Sequence, residues 1–75
     1  TRYDLLTDRE REVMKLLADG FSSKELANRL GLSVKTVDAH KYNLMRKLEI
    51  HNRADLVKYA IKKKLVHVSV IDEGV

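Results

Sequence analysis

Ser22-Ser23-Lys24-Glu25-Leu26-Ala27-Asn28-Arg29-Leu30-Gly31-Leu32-Ser33-Val34-Lys35-Thr36-Val37 is the stretch that decides the fold. Ser22 with Glu25 is a capping box: the serine hydroxyl accepts the Glu25 amide while the carboxylate takes the Ser22 amide. Leu26, Ala27 and Leu30 follow on one helical face, and Gly31 closes that helix. A left-handed closing residue would cost a side chain with a β-carbon about 1 kcal/mol or more. Ser33 caps the next helix, so only Gly31-Leu32-Ser33 separate the two, as in a helix-turn-helix. Ala27 is small where the second of these helices must approach the first. Leu26, Leu30, Leu32 and Val37 fall where they plug the wedge between them. His40 stands where the general pattern has another apolar residue.

Outward from this core the same cap chemistry repeats. Thr7-Asp8-Arg9-Glu10 is a second capping box, followed by Val13, Leu16 and Leu17 at helical spacing up to Gly20, which fits a glycine just past the helix end. After Ser33 the apolar stripe is Val37, Leu44 and Leu48, with Val34 and Met45 at its edges. Asn52, with Asp55 three residues on, starts a last helix carrying Leu56, Val57, Ala60 and Ile61, the pattern putting Leu56, Ala60 and Ile61 inward. The expected fold is all-α: a compact four-helix domain whose second and third helices form the helix-turn-helix, with the fourth packing across. The domain is expected over residues 1–66, with Leu65 and Val66 folding back on the last helix. Residues 67–75 are expected as a short irregular tail, because His67-Val68-Ser69-Val70-Ile71 is β-branched and favours extended backbone.

Composition agrees and excludes alternatives. Seventy-five residues allow one small domain, and with no cysteine there is no disulfide or Cys-rich zinc site to brace it. His40, His51 and His67 share no metal-ligand spacing, so no metal and no cofactor are expected. Zero prolines favour helix. No apolar run approaches membrane-spanning length and no signal-peptide pattern opens the chain, so a cytoplasmic module is expected, without a membrane partner. A start at Thr1 rather than Met leads to the expectation of a piece cut from a longer protein.

Fifteen Lys and Arg against eleven Asp and Glu give +4. That balance suits a polyanion but also serves solubility. Its distribution says more. Between Ser22 and Arg53 lie Lys24, Arg29, Lys35, Lys41, Arg46, Lys47 and Arg53, opposed only by Glu25, Asp38 and Glu49. Lys58, Lys62, Lys63 and Lys64 form a second basic group.

Leu6-Thr7-Asp8-Arg9-Glu10-Arg11-Glu12-Val13, Gly20-Phe21-Ser22-Ser23-Lys24-Glu25-Leu26-Ala27, Ser33-Val34-Lys35-Thr36-Val37-Asp38-Ala39-His40 and Asn43-Leu44-Met45-Arg46-Lys47-Leu48 together resemble the LuxR/NarL-type (GerE-like) C-terminal DNA-binding domain. The resemblance runs from about Leu5 to Val66 and spans all four helices. His40 is the family's usual residue at its position. Ser23 departs mildly, asparagine being commoner there, which shortens the reach toward a phosphate. The resemblance implies the effector domain of a bacterial transcription factor. It implies dimerisation through the fourth helix, RNA polymerase as a further candidate partner, and an N-terminal regulatory domain, often the receiver of a two-component response regulator, missing from this chain.

The residues facing DNA follow from the third helix's core stripe. Opposite Val37, Leu44 and Leu48, at 3.6 residues per turn, lie Lys35, Asp38, Ala39, Tyr42 and, further along, Arg46. A helix in the major groove of double-stranded DNA reads with its N-terminal half, so Lys35, Asp38, Ala39 and Tyr42 are the base-reading candidates. Lys35 can donate to guanine or to phosphate. Asp38 can accept from cytosine N4 or repel wrong sites. Ala39 can meet a thymine methyl, and Tyr42 a base edge or a phosphate. The phosphate-binding candidates are Ser22, Ser23, Lys24, Ser33 and Thr36 at two helix N-termini, with Lys41, Arg46 and Lys47 beyond them. Lys47 can equally lie over the apolar core. His40 is expected partly buried and hydrogen-bonded, and Glu10 or Glu12 is expected to pair with Arg53. Val57, Lys58, Tyr59 and Lys62 are the candidates for a homodimer surface reading an inverted repeat, with Tyr59 alternatively closing the monomer core. Two other readings stay open: a sigma-factor-like promoter-reading domain, and a helix-turn-helix repurposed for protein–protein interaction. No nucleophile, base and orienting group come together in the sequence, so an enzyme is not expected.

Overall fold

The computed structural model describes residues 1–63. Four α-helices follow a short 3-10 turn at Arg2–Leu5: α1 (Asp8–Ala18), α2 (Ser23–Leu30), α3 (Val34–Leu48) and α4 (Arg53–Lys62). There is no strand among the described residues. The expected boundary at residue 66, the fold-back of Leu65 and Val66, and the 67–75 tail lie outside the described residues.

Each α-helix starts where its cap chemistry puts it. The Thr7 hydroxyl accepts the Glu10 amide at 3.1 Å and the Glu10 carboxylate accepts the Thr7 amide at 2.9 Å. Ser22 and Glu25 repeat the exchange at 3.1 and 2.8 Å. Ser33 Oγ accepts the Thr36 amide at 3.1 Å, and Asn52 accepts that of Asp55 at 2.9 Å. These side chains satisfy donors that the first helical turn leaves without partners.

The helices enclose one core of Leu6, Val13, Met14, Leu17, Leu26, Ala27, Val37, Leu44, Leu48, Leu56 and Ala60. α1 lies at its centre, packing against α2, α3 and α4, while α2 and α3 pack on each other. Leu16, Leu30 and Leu32 are half-buried and pack against this core, and Met14, between the expected positions, is fully buried with it. One expectation is corrected. Ile61 is 39% exposed rather than inward, because Leu56 and Ala60 already occupy α4's inner stripe and Ile61 falls about 100° round from it. Tyr59 is half-buried and packs against the core.

Gly31 ends α2 in the left-handed region, at φ 68° and ψ 34°. A β-carbon there would meet nothing within 4 Å, so the cost of one is conformational rather than steric. Gly31→Ala is expected to destabilise the domain by about 1 kcal/mol, and Gly31→Asn by less, since asparagine tolerates this conformation. Urea denaturation of both variants checks the order; equal stability of all three proteins would contradict it.

Candidate nucleic-acid interface

The turn joins the C-terminus of α2 to the N-terminus of α3 and fixes how α3 lies against α2. Leu26 and Val37, both fully buried, lock the two helices together, and Ala27 is 6% exposed between them. The Leu32 amide donates back to the Ala27 carbonyl at 3.0 Å, fixing the turn. With Val37, Leu44 and Leu48 turned inward, Lys35, Asp38, Ala39, Tyr42 and Arg46 are all exposed, Tyr42 to 69%. None of these charged groups has an ion-pair partner among the described residues.

The phosphate candidates fall into two groups. Ser22, Lys24, Ser33 and Thr36 are exposed and Ser23 and Lys41 half-buried. Ser22 and Ser33 are engaged as caps, and Ser33 Oγ lies 2.9 Å from Thr36 Oγ1. The caps consume the Ser22, Glu25 and Thr36 amides, leaving those of Ser23 and Lys24 on α2, and Val34 and Lys35 on α3, pointing outward at the positive helix ends. The Ser22 amide, then its hydroxyl, hold the Glu25 carboxyl below its ordinary value, so Glu25 stays ionised and its charge is spent on the cap.

Lys47 stands apart. Its Nζ donates to Glu10 Oε1 at 2.7 Å, and Glu10 is 4% exposed. Burial pushes the Glu10 carboxyl up, but the Lys47 hydrogen bond, the Thr7 amide and the Lys47 charge outweigh it, and the net direction is down. Lys47 therefore holds α3 to the N-terminus of α1 instead of joining the outer face. This also overturns the expected pairing of Glu10 or Glu12 with Arg53. Glu12 pairs with Arg9 at 3.1 Å, and Arg53 Nη2 donates to the Leu17 and Phe21 carbonyls at 2.8 and 2.7 Å. His40 is half-buried, but its ring makes no hydrogen bond among the described residues, contrary to expectation.

The sequence reading also missed a shallow groove beside the outer face of α3, lined by Asp38, Tyr42, Met45, Ile50 and His51. Met45 was placed at the edge of the core stripe, which is where it lies; the loop residues Ile50 and His51 carry no periodic signal. The groove exists because Glu49 ends α3 in the left-handed conformation, at φ 58°, letting the Ile50 amide turn back to the Met45 carbonyl at 2.9 Å. On α4, Val57 is half-buried and Lys58, Ile61 and Lys62 are exposed.

A family described as bacterial regulatory proteins, luxR family, matches residues 4–60. Over 64 residues, 85% of the chain, the sequence is 47% identical to oxygen regulatory protein NreC of Staphylococcus carnosus (strain TM300). It is 45% identical over the same length to the protein of that name from Staphylococcus haemolyticus (strain JCSC1435). The chain spans about 30% of the length of these curated relatives. The fold is similar to that in the crystal structure of response regulator ChrA of a heme-sensing two-component system, with a TM-score of 0.72 and 33% identity over 81% of this chain and 30% of that one. No helix among the described residues is long and apolar enough to cross a membrane. A match that reaches all four helices, on a helix-turn-helix whose caps and buried wedge are formed, makes this chain a helix-turn-helix domain of the luxR family of bacterial regulatory proteins.

Proposed function

We propose that the chain is the C-terminal effector domain of a bacterial two-component response regulator and binds double-stranded DNA sequence-specifically in the cytoplasm, with α3 in the major groove. The observation that carries this reading is the outer face of α3, where Lys35, Asp38, Ala39, Tyr42 and Arg46 stand exposed, the charged ones without an ion-pair partner among the described residues. Lys35, Asp38, Ala39 and Tyr42 read bases, in the N-terminal half of the helix where an inserted helix meets base edges. Ser22, Ser23, Lys24, Ser33, Thr36, Lys41 and Arg46 face phosphates; Lys47, committed to Glu10, is left out. A homodimer forms through α4, with Val57 and Ile61 as its apolar centre and Lys58 and Lys62 on its rim, and reads an inverted repeat. A receiver domain N-terminal to this chain controls it, and RNA polymerase is its partner at the promoter. The relatives' greater length leaves room for such a domain.

The test is in-vitro selection from a random duplex library at about 0.15 M salt, near physiological ionic strength. An enriched inverted repeat supports the reading; failure to enrich any sequence, even with two copies of the chain linked, overturns it. Two substitutions separate the roles. Lys24→Ala is expected to weaken binding to all sequences alike and to lower the slope of log K against log salt by about 0.9, one phosphate contact. Asp38→Ala is expected to change the preferred base at one position of each half-site, worth roughly 1–3 kcal/mol, and to leave the salt slope alone. Like behaviour of the two variants would contradict this division of labour.

A further inference from the structure

Arg53 is the first residue of α4, yet its side chain reaches back to the C-terminal end of α1 and the loop after it. A single guanidinium nitrogen, Nη2, donates to the Leu17 carbonyl at 2.8 Å and to the Phe21 carbonyl at 2.7 Å. Leu17 lies in the last turn of α1, where its carbonyl also accepts the Gly20 amide at 3.1 Å and a cation is favoured by the helix dipole. Phe21 lies in the loop between α1 and α2, immediately before Ser22, the cap of α2. These are the side-chain hydrogen bonds that tie α4 to the rest of the fold among the described residues; α4 otherwise packs on α1, with Leu56 and Ala60 fully buried and Tyr59 against the core.

The loop is fastened from three sides. The Phe21 amide donates to the Leu16 carbonyl of α1 at 3.1 Å. Its ring carries the Arg29 guanidinium of α2 at 4.5 Å from the centroid. Its carbonyl is taken by Arg53 of α4. Gly20, at φ 107°, bends the chain into this arrangement. The loop thus sets where α2 begins and where the outward amides of Ser23 and Lys24 point. Removing Arg53 frees the Phe21 carbonyl and withdraws α4 from that loop.

We infer that Arg53 is a positioning residue that sets the N-terminus of α2 against DNA phosphate from α4, so that the state of α4 is felt at the phosphate contact. The inference rests on the DNA-binding reading above. Arg53 stands 32 residues from Phe21 in sequence, and its role here requires no contact of its own with DNA.

A double-mutant cycle on a fixed duplex of mixed sequence tests it. Each phosphate contact contributes a slope of about 0.9, which corresponds to roughly eightfold in affinity at about 0.1 M salt. Arg53→Ala and Lys24→Ala are each expected to weaken binding by about that factor, and the double variant by little more than either alone. Lys35→Ala, on α3, is expected to multiply its effect with Arg53→Ala in full. Cooperative thermal melting verifies that each variant is folded at the assay temperature. If Arg53→Ala does not fold, Arg53→Lys, which keeps the charge but loses the guanidinium fork, is used in the same cycle. Independent, multiplying effects of Arg53 and Lys24 overturn the inference and leave the DNA-binding reading standing, since Arg53 would then act on its own account. Equal coupling of Arg53 to Lys24 and Lys35 overturns it as well, by pointing to general loosening. Absence of any binding by the unsubstituted chain, even with two copies linked, overturns the DNA-binding reading and the inference with it.

Discussion

Glu10→Ala is expected to lower the unfolding free energy by about 2–4 kcal/mol, near the upper end of what a single substitution does in a domain of this size. The Glu10 side chain is 5% exposed and serves two partners with one oxygen: Lys47 Nζ at 2.7 Å and the Thr7 amide at 2.9 Å. Alanine removes the return half of the capping box, the carboxylate on the Thr7 amide, while Thr7 still caps the residue-10 amide, and it leaves a lysine over the core without its counter-charge. Lys47 is 30% exposed and can turn its ammonium toward water, which keeps the total below the roughly 3–5 kcal/mol of a fully buried broken pair. Urea denaturation at neutral pH measures the loss, and an unchanged midpoint would sink the argument. The pH dependence has a definite sign. The net shift of Glu10 is downward, so the unfolded chain takes up a proton at higher pH than the folded one. The stabilisation is fully present above the ordinary glutamate range and is lost as pH falls through it and through the lower folded value. Glu10→Gln, which retains an oxygen for the Thr7 amide but has no charge to lose, is expected to flatten that acid limb.

What was legible in the sequence follows the range of the interaction concerned. Thr7, Ser22, Ser33 and Asn52 each act within three residues of themselves, and all four caps form where the sequence puts them. The left-handed Gly31 was legible for the same reason, being a backbone requirement met by one residue type. Contacts across the fold were not. Glu10 and Lys47 are 37 residues apart, and the charge pattern allows Glu10 several basic partners; only the packing of α3 on α1 selects Lys47. Arg53 went to carbonyls that no sequence pattern advertises. Met14 was overlooked because Val13 and Leu17 already satisfied the spacing, although a buried stripe about 100° wide admits both Val13 and its neighbour. Glu49 carries no glycine-like signal for its positive φ; the half-buried Ile50 that follows holds it there.

The candidate site divides along the same line. The exposed face of α3 is the complement of an apolar stripe, so locating Val37, Leu44 and Leu48 located Lys35, Asp38, Ala39 and Tyr42 as well. Lys47 was the ambiguous member, since it lies between the stripe and the open face, and its fate depended on Glu10. On α4 the half-turn that separates Tyr59 from Ile61 decided which of them meets the core. Four-residue spacing from Leu56 leads to Ala60, and Ile61 is left with Val57 on the open side.

Leu44→Ala and Tyr42→Ala, two residues apart on α3, are expected to differ in kind. Leu44 is fully buried, and truncating it removes packing from the centre of the domain, costing roughly 2–5 kcal/mol. A chain of 75 residues holds only about 4–11 kcal/mol in all, so the variant is expected to melt much earlier and in part to be unfolded at ambient temperature. Tyr42 is 69% exposed, and its removal is expected to change stability by no more than about 0.5 kcal/mol. On DNA the order reverses in character. Leu44→Ala should weaken every duplex by the same factor, the fraction of chain that is folded, and cooling should restore binding. Tyr42→Ala should bind at any temperature where the parent does, but select a different sequence or lose discrimination at one position, since in the proposed reading it faces a base edge or a phosphate and not the core. Thermal melting and selection from a random duplex library, run on both variants, measure the two axes. A Tyr42→Ala protein with the parent's selected sequence and salt slope would remove Tyr42 from the reading face. A Leu44→Ala protein with the parent's melting midpoint would mean that the core does not rest on α3 as its buried stripe requires.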